Sequence, residues 1–225
     1  MLLIGSGLTA LDVAVALRHH GHRGRVTAIS RHGRVPQRHA PYTPRGALRW
    51  IRREAAAHDW RAVIDSLRPH TQAVWRGWTL AWRASFLRHA RNLWDVHRHR
   101  AAPEVAVDLE VVRGRILSLS AGIEVHTDRG TLHAARVFNC TGPASDYARI
   151  DLPLVMQLRR AGLLTPDPLR LDVETADDGR LLGADGQPVD GLYTLGPLRR
   201  PALWESTAIP EIRAQAAALS GVRQR

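Results

Sequence analysis

The chain has 225 residues, 44% of them hydrophobic, and carries a formal charge of +11 with a pI near 11.4. That composition excludes a disordered or collagen-like chain, and one cysteine, Cys140, excludes an internal disulfide and fits a reducing cytoplasm. All 32 basic residues are arginine, which reads as a compositional bias yet still favours anionic ligands such as nucleotide phosphates.

The first element is the apolar run Leu2-Leu3-Ile4, which ends in Gly5-Ser6-Gly7-Leu8-Thr9-Ala10 and passes at once into a helical pattern carried by Leu8, Leu11, Val15 and Leu17. This reads as a strand, a tight turn and a helix. Gly5 lets the turn close, Gly7 lets the backbone approach a phosphate, and Ala10 lets the helix lie against the strand. The start of that helix presents free N–H groups and a positive dipole end to a pyrophosphate. The glycine pair alone also fits an ordinary strand-to-helix turn. The second strand, Arg25–Ser30, follows at βαβ spacing. The acid that would bind ribose hydroxyls about 20 residues past the glycines is absent. Arg31 stands there, with His32 and Arg34 close behind, and no Asp or Glu occurs between Asp12 and Glu54. Arginine suits a 2′-phosphate, so NADP(H) is expected over NAD(H). The alternative for Arg31 is a solvated surface arginine.

A loop with Pro36, Pro41 and Pro44 leads to a helical stretch from about Arg45 to Arg98. Trp75, Trp78, Trp82 and Phe86 are spaced three, four and four apart, which predicts one core-facing stripe. A stacking platform for single-stranded nucleic acid is the other reading, disfavoured because the intervening Arg76, Arg83 and Arg88 fall on other faces. Trp94–Arg100 is either a solvated basic segment or a wall of an anion pocket. Its histidines lie two apart and do not share a helical face, so no metal site is expected.

From Asp108 to Asn139 the period drops to two. Leu109–Val112, Ile116–Leu119, Ile123–His126 and Thr131–His133 predict a small β-meander, separated by turns at Gly114, Gly122 and Asp128-Arg129-Gly130. Arg136–Asn139 predicts a buried strand, with Cys140 a buried apolar residue before Thr141-Gly142-Pro143. Leu154–Ala161 predicts a helix stopped by Gly162. Asp177-Asp178-Gly179 and Asp185-Gly186 are turns, and Gly191–Leu195 is a strand into Gly196-Pro197. A final helix is expected near Ala208–Leu219, capped by Ser206 or Thr207, with Gly221 beyond its end. No run of about 18 apolar residues exists, so no transmembrane helix is expected, and the start of the chain lacks the basic region of a signal peptide. The expected fold is α/β: a Rossmann-like parallel sheet over residues 1–137, with a helical insertion at about 45–100 and a β-meander at about 108–135, then part of a second dinucleotide-binding domain over 138–225.

Several segments together resemble bacterial FAD/NAD(P)-binding flavoproteins of the family that contains flavin-dependent urate hydroxylases and aspartate N-monooxygenases. They are Gly5–Asp12, Ser30–Gly33, Trp94–Arg100, Phe138–Pro143, Gly191–Pro197 and Trp204–Pro210. The resemblance implies an NADP-binding domain inserted into an FAD domain, to which Asn139–Pro143 returns the chain. It implies Gly5, Ser6, Gly7, Leu8, Thr9, Ala10, Arg31 and His32 around NADP(H). It places Thr141, Gly142, Gly196, Pro197, Glu205, Ser206 and Thr207 near FAD. The activity implied is that of an FAD/NAD(P)-dependent, monooxygenase-like oxidoreductase in which NADPH passes hydride to flavin. The protein would then supply binding and orientation, and no catalytic side chain is named. Such proteins begin with their own glycine motif for FAD, and this chain starts at what looks like the second motif. It therefore resembles the C-terminal portion, with FAD expected only alongside a complementary FAD-binding polypeptide. The alternative is a non-catalytic remnant or a partner subunit of a split flavoprotein. An unknown small-molecule substrate is implied, and neither a specific nucleic acid nor a membrane is an expected partner.

Overall fold

The computed structural model describes residues 1–38, 59–102, 109–120 and 124–222. Pro41, Pro44, the expected helix start at Arg45, the turn at Gly122 and the expected strand start at Ile123 lie outside them. The chain divides into two compact units, one of Met1–Ser66 with Leu87–Pro143 and the other of Leu67–Phe86 with Ala144–Arg225.

The first unit is built on a four-stranded parallel sheet. Its strands are β1 (Leu2–Ile4), β2 (Thr27–Ser30), β3 (Glu110–Arg113) and β7 (Val137–Asn139), in the order β3-β2-β1-β7. The register aligns Leu3 with Ala28 on one side and with Phe138 on the other, and aligns Leu2 with Val137. Side chains alternate across a strand, so each aligned set lies on one face. Leu3, Ala28, Val111 and Phe138 pack with Ala10, Val13, Ala14 and Leu17 of helix α1 (Leu8–His19). Leu2, Ile29 and Val137 pack on the opposite face with Ile116, Val125 and Leu132. Those last three come from an antiparallel sheet of β4 (Ile116–Ser120), β5 (Glu124–Thr127) and β6 (Gly130–His133). Burial on both faces is why β1 reads as a continuous apolar run. Leu2, Leu3, Ile29 and Val125 are at most 2% exposed, each worth about 1.5–3 kcal/mol of burial.

This is a Rossmann-like α/β arrangement, as the sequence predicts, with differences in detail. The expected first meander strand, Leu109–Val112, is β3 and pairs in parallel with β2, leaving three strands in the meander. An apolar run carries no mark of its partner's direction. The expected boundary between residues 137 and 138 falls inside β7, which pairs with β1, and the first unit extends through Pro143. The face of α1 that packs is Ala10, Val13, Ala14 and Leu17, whereas Leu8 and Val15 are each 37% exposed. Ala10 and Ala14 allow close approach to the sheet, and Val13 and Leu17 flank them on the same face.

The helical stretch is broken into α2 (Trp60–Gly77), α3 (Leu80–His89) and α4 (Arg91–Arg98). In the second unit, Trp75 packs against Trp204 with ring centroids 4.7 Å apart, and against Trp78 and Phe86. Its indole Nε1 donates to the Pro201 carbonyl at 2.8 Å. Trp82 departs from the expected stripe and is 66% exposed. The break after Gly77 resets the helical phase, so the spacing from Trp78 to Trp82 does not carry across it. The unit also holds α5 (Pro153–Arg160), a hairpin of β8 (Arg180–Leu182) and β9 (Pro188–Tyr193), a 3-10 turn at Gly196–Arg199, and α6 (Ile209–Val222). Leu164, Val173 and Leu181 form its other buried cluster with Tyr147, Leu158 and Leu192. Gly221 lies inside α6 rather than beyond it, and α6 starts after Ser206 and Thr207.

Candidate functional site

The candidate site lies at the carboxyl ends of the parallel strands. Beyond β1 the backbone turns at Gly5, with φ +107°, where a Cβ would lie 2.6 Å from the Cys140 carbonyl oxygen. Only glycine accepts both that dihedral and that approach. Gly5 N–H donates to the Ile29 carbonyl at 2.9 Å and Cys140 N–H to the Ile4 carbonyl at 2.8 Å, so the strand ends are fixed to one another. Ser6 turns inward. Its Oγ lies 2.7 Å from Ser30 Oγ and donates to the Arg34 carbonyl. This ties the turn after β1 to the loop after β2. Gly7 is the N-cap of α1. It supplies no side-chain cap, no acid occupies the first turn, and a Cβ there would meet nothing within 4 Å. The helix therefore opens with donors and a positive dipole end that no side chain of its own covers.

These elements border a cavity of about 450 Å³. Gly5, Ser6, Gly7, Arg31, His32 and Thr141 all line it, so six of the expected site residues are brought together. Ala10 is fully buried below, against the sheet. Leu8 and Thr9 stand exposed on the first turn of α1, and Gly142 is exposed just past Thr141, with φ +81°. Thr141 is held by Asn139, whose Oδ1 accepts from both its N–H, at 3.1 Å, and its hydroxyl, at 2.7 Å. The remaining expected residues belong to the second unit and do not line this cavity. There Gly196 is buried and its N–H donates to Gln215 Oε1 at 2.9 Å. Ser206 is wholly buried, Glu205 half-buried, and Pro197 and Thr207 exposed.

Arg31, Arg34 and Arg115 make the cavity margin cationic, with Asp95 as its carboxylate. The His32 imidazole is held below its ordinary value, first by burial and then by Arg31, Arg34 and Arg113. Burial pushes the Cys140 thiol up, away from the thiolate that nucleophilic chemistry needs. Sequence reasoning missed Gly114, Arg115 and Ile116, because their place depends on β3 joining the parallel sheet. It left open whether Trp94–Arg100 forms a pocket wall; Asp95 and Val96 of α4 do line the cavity, joined by Asn92.

Among the described residues no group of three or more His, Cys, Asp or Glu side chains could hold a metal ion, and no helix is long and apolar enough to cross a membrane. No protein-family model matches the chain, and no curated protein matches it. The fold and the cavity define an α/β protein of Rossmann-like architecture with a glycine-lined turn at the carboxyl edge of its parallel sheet.

Proposed function

We propose that this chain is the NADP(H)-binding portion of a flavin-dependent oxidoreductase. The observation that carries the reading is the cradle itself: Gly5, Ser6 and Gly7 run along an open cavity at the carboxyl edge of a parallel sheet and end at an uncapped helix start. A pyrophosphate fits there by chemistry. It needs N–H donors, a positive dipole end and no Cβ in its path. Arg31, at the end of β2, lines the same cavity and would meet the 2′-phosphate, and the sequence has no acid at the end of β2.

NADP(H), when bound, supplies a transferable hydride. The chain's own part is to hold the pyrophosphate at α1, to hold the adenosine end beside Arg31, and to fix the strand ends through Gly5 and Ser6. No side chain is assigned an acid–base role. The flavin half of the reading rests on the family resemblance. On the same resemblance, a complementary polypeptide is the proposed source of the flavin site.

Titration of tryptophan fluorescence with NADPH and NADH tests the proposal. NADPH is expected to bind the tighter, and Arg31→Gln to weaken NADPH by about tenfold or more while leaving NADH unchanged. Absence of saturable binding by either nucleotide refutes it.

A further inference from the structure

Beside the cradle lies a second cavity of about 450 Å³, lined by Arg31, Arg88, Arg113, Arg115 and Arg129 with His32, and by one carboxylate, Asp128. We infer that this basin binds a phosphate dianion.

The first ground is charge. Several arginines elsewhere in both units are paired with carboxylates: Arg25 with Glu110, Arg76 with Asp177, Arg100 with Asp65, Arg180 with Asp178 and Asp190, Arg200 with Asp172. Among the described residues, none of the five basin arginines makes an ion pair. Five like charges gathered around a single carboxylate leave a net positive potential, and a dianion relieves it.

The second ground is that the basin has a fixed backbone. Gly114 follows β3 and is buried, its N–H donating to the Ser30 carbonyl at 3.0 Å. A Cβ on Gly114 would meet Asp128 Oδ1 at 3.2 Å and Ile29 Cδ1 at 3.3 Å. The Asp128 N–H donates to the Arg115 carbonyl at 3.0 Å and its Oδ1 accepts from the Arg115 N–H at 2.8 Å, which aligns the hairpin that carries Arg115 and Arg129. Thr127 Oγ1 accepts from the Arg129 N–H at 3.1 Å and fixes the next turn. Gly33, with φ +62°, lets the loop after β2 pass against Arg113, where a Cβ would come within 3.0 Å of the Arg113 Cβ. Four separate chain segments thus deliver guanidinium groups to one concavity. Guanidinium forks match phosphate oxygens two at a time, and several forks around one dianion form charge-assisted hydrogen bonds. The depressed His32 imidazole agrees with overlapping fields from Arg31, Arg34 and Arg113.

The dianion has two possible sources, a phosphomonoester on the bound nucleotide or a separate phosphorylated molecule. Calorimetric titration of the full chain with inorganic phosphate, with 2′,5′-ADP and with 5′-AMP separates them. Inorganic phosphate is expected to bind saturably, and the double variant Arg115→Gln/Arg129→Gln to weaken it by about tenfold or more. Arg23→Gln, an exposed arginine outside both cavities, should leave it unchanged. If the double variant loses its cooperative melting transition, Arg88→Gln replaces it, since Arg88 lies on α3 and holds no hairpin turn. Preference for 2′,5′-ADP over 5′-AMP that the variant abolishes assigns the dianion to the nucleotide. Equal binding of the two, with phosphate still bound in saturating NADH, assigns it to a separate ligand. If neither NADPH nor NADH binds while phosphate does, the dinucleotide proposal falls and the basin stands. Unsaturable phosphate binding, or equal affinity in wild type and variants, overturns the inference.

Discussion

Gly7→Ala separates the cradle from the scaffold. At Gly7 φ is −82° and ψ −168°, extended backbone that alanine accepts, and an added Cβ meets nothing within 4 Å. Two small effects on stability oppose each other. Alanine restricts the unfolded chain, a gain of about 0.4–1 kcal/mol, and is a poorer N-cap than glycine, a loss of similar size. The net change is within about 0.5 kcal/mol, or about 2 °C in Tm for a chain of this length. Binding responds differently, because the methyl projects into the space assigned to the pyrophosphate. Displacing one charge-assisted hydrogen bond costs about 1.5–3 kcal/mol, which is about 10- to 100-fold in Kd. Thermal melting and NADPH titration on the same preparation read both quantities. Unchanged affinity in a variant of unchanged Tm refutes the placement of phosphate at α1. A large fall in Tm refutes the claim that Gly7 is kept for ligand access.

Gly5→Ala should do the reverse: strain at φ +107° and overlap with the Cys140 carbonyl sum to about 2–5 kcal/mol, a fall in Tm on the order of 10 °C. Melting within about 2 °C of wild type would show that β1 and β7 are not locked as described. Trp75→Ala, at 2% exposure and with its Nε1 bond lost, should destabilise by about 3–5 kcal/mol, whereas Trp82→Ala, at 66% exposure, should stay within about 0.5 kcal/mol by urea unfolding. Asp167 is buried, and that burial raises its carboxyl above the ordinary range although its Oδ2 accepts from the N–H groups of Leu169 and Leu171. Its stabilising contribution is therefore present when protonated at low pH and is lost as pH rises through the raised value. Asp167→Asn keeps an acceptor oxygen and removes that loss, so the variant should gain on wild type in Tm from pH 4 to pH 7. A constant difference across that range speaks against a buried, shifted carboxyl.

The parts of the fold visible in the sequence are those set by short-range chemistry. The run Leu2–Ile4 with its glycine turn, the helix stop at Gly162 (φ +70°) and the hairpin turns at Gly179 and Gly186 all follow from local dihedral needs. What the sequence hides is partner choice. Leu109–Val112 reads as a strand in either direction, and only the pairing of Ala28 with Val111 shows it to be parallel. The same gap conceals Arg115, which reaches the site because β3 ends beside β2. Trp82 was misplaced for another reason, since helical spacing predicts a face only within one unbroken helix, and α2 stops at Gly77. Of the expected site residues, Gly5, Ser6, Gly7, Arg31, His32 and Thr141 meet at one cavity, since loops at the carboxyl edge of one sheet converge. Ser206, expected as a cap of the last helix, lies before its start and is wholly buried.

Topology gives the glycine turn a meaning that its residues alone do not. The chain leaves β1 for β2 and then β3 on one side, and returns to β7 on the other. The strand order therefore switches direction at β1, and open parallel sheets take ligands outside the carboxyl ends at such a switch point. Gly5 and Cys140 mark the carboxyl ends of β1 and β7, and the tight approach of one to the carbonyl of the other lies on the cavity lining. An ordinary strand-to-helix turn has glycine for its dihedral only. Here the first glycine is required by the neighbouring strand, while the second has open space around it and no structural need for a missing Cβ. A glycine that the fold does not require, at an uncapped helix start on the cavity, is the feature that supports the proposed approach of a phosphate to its backbone.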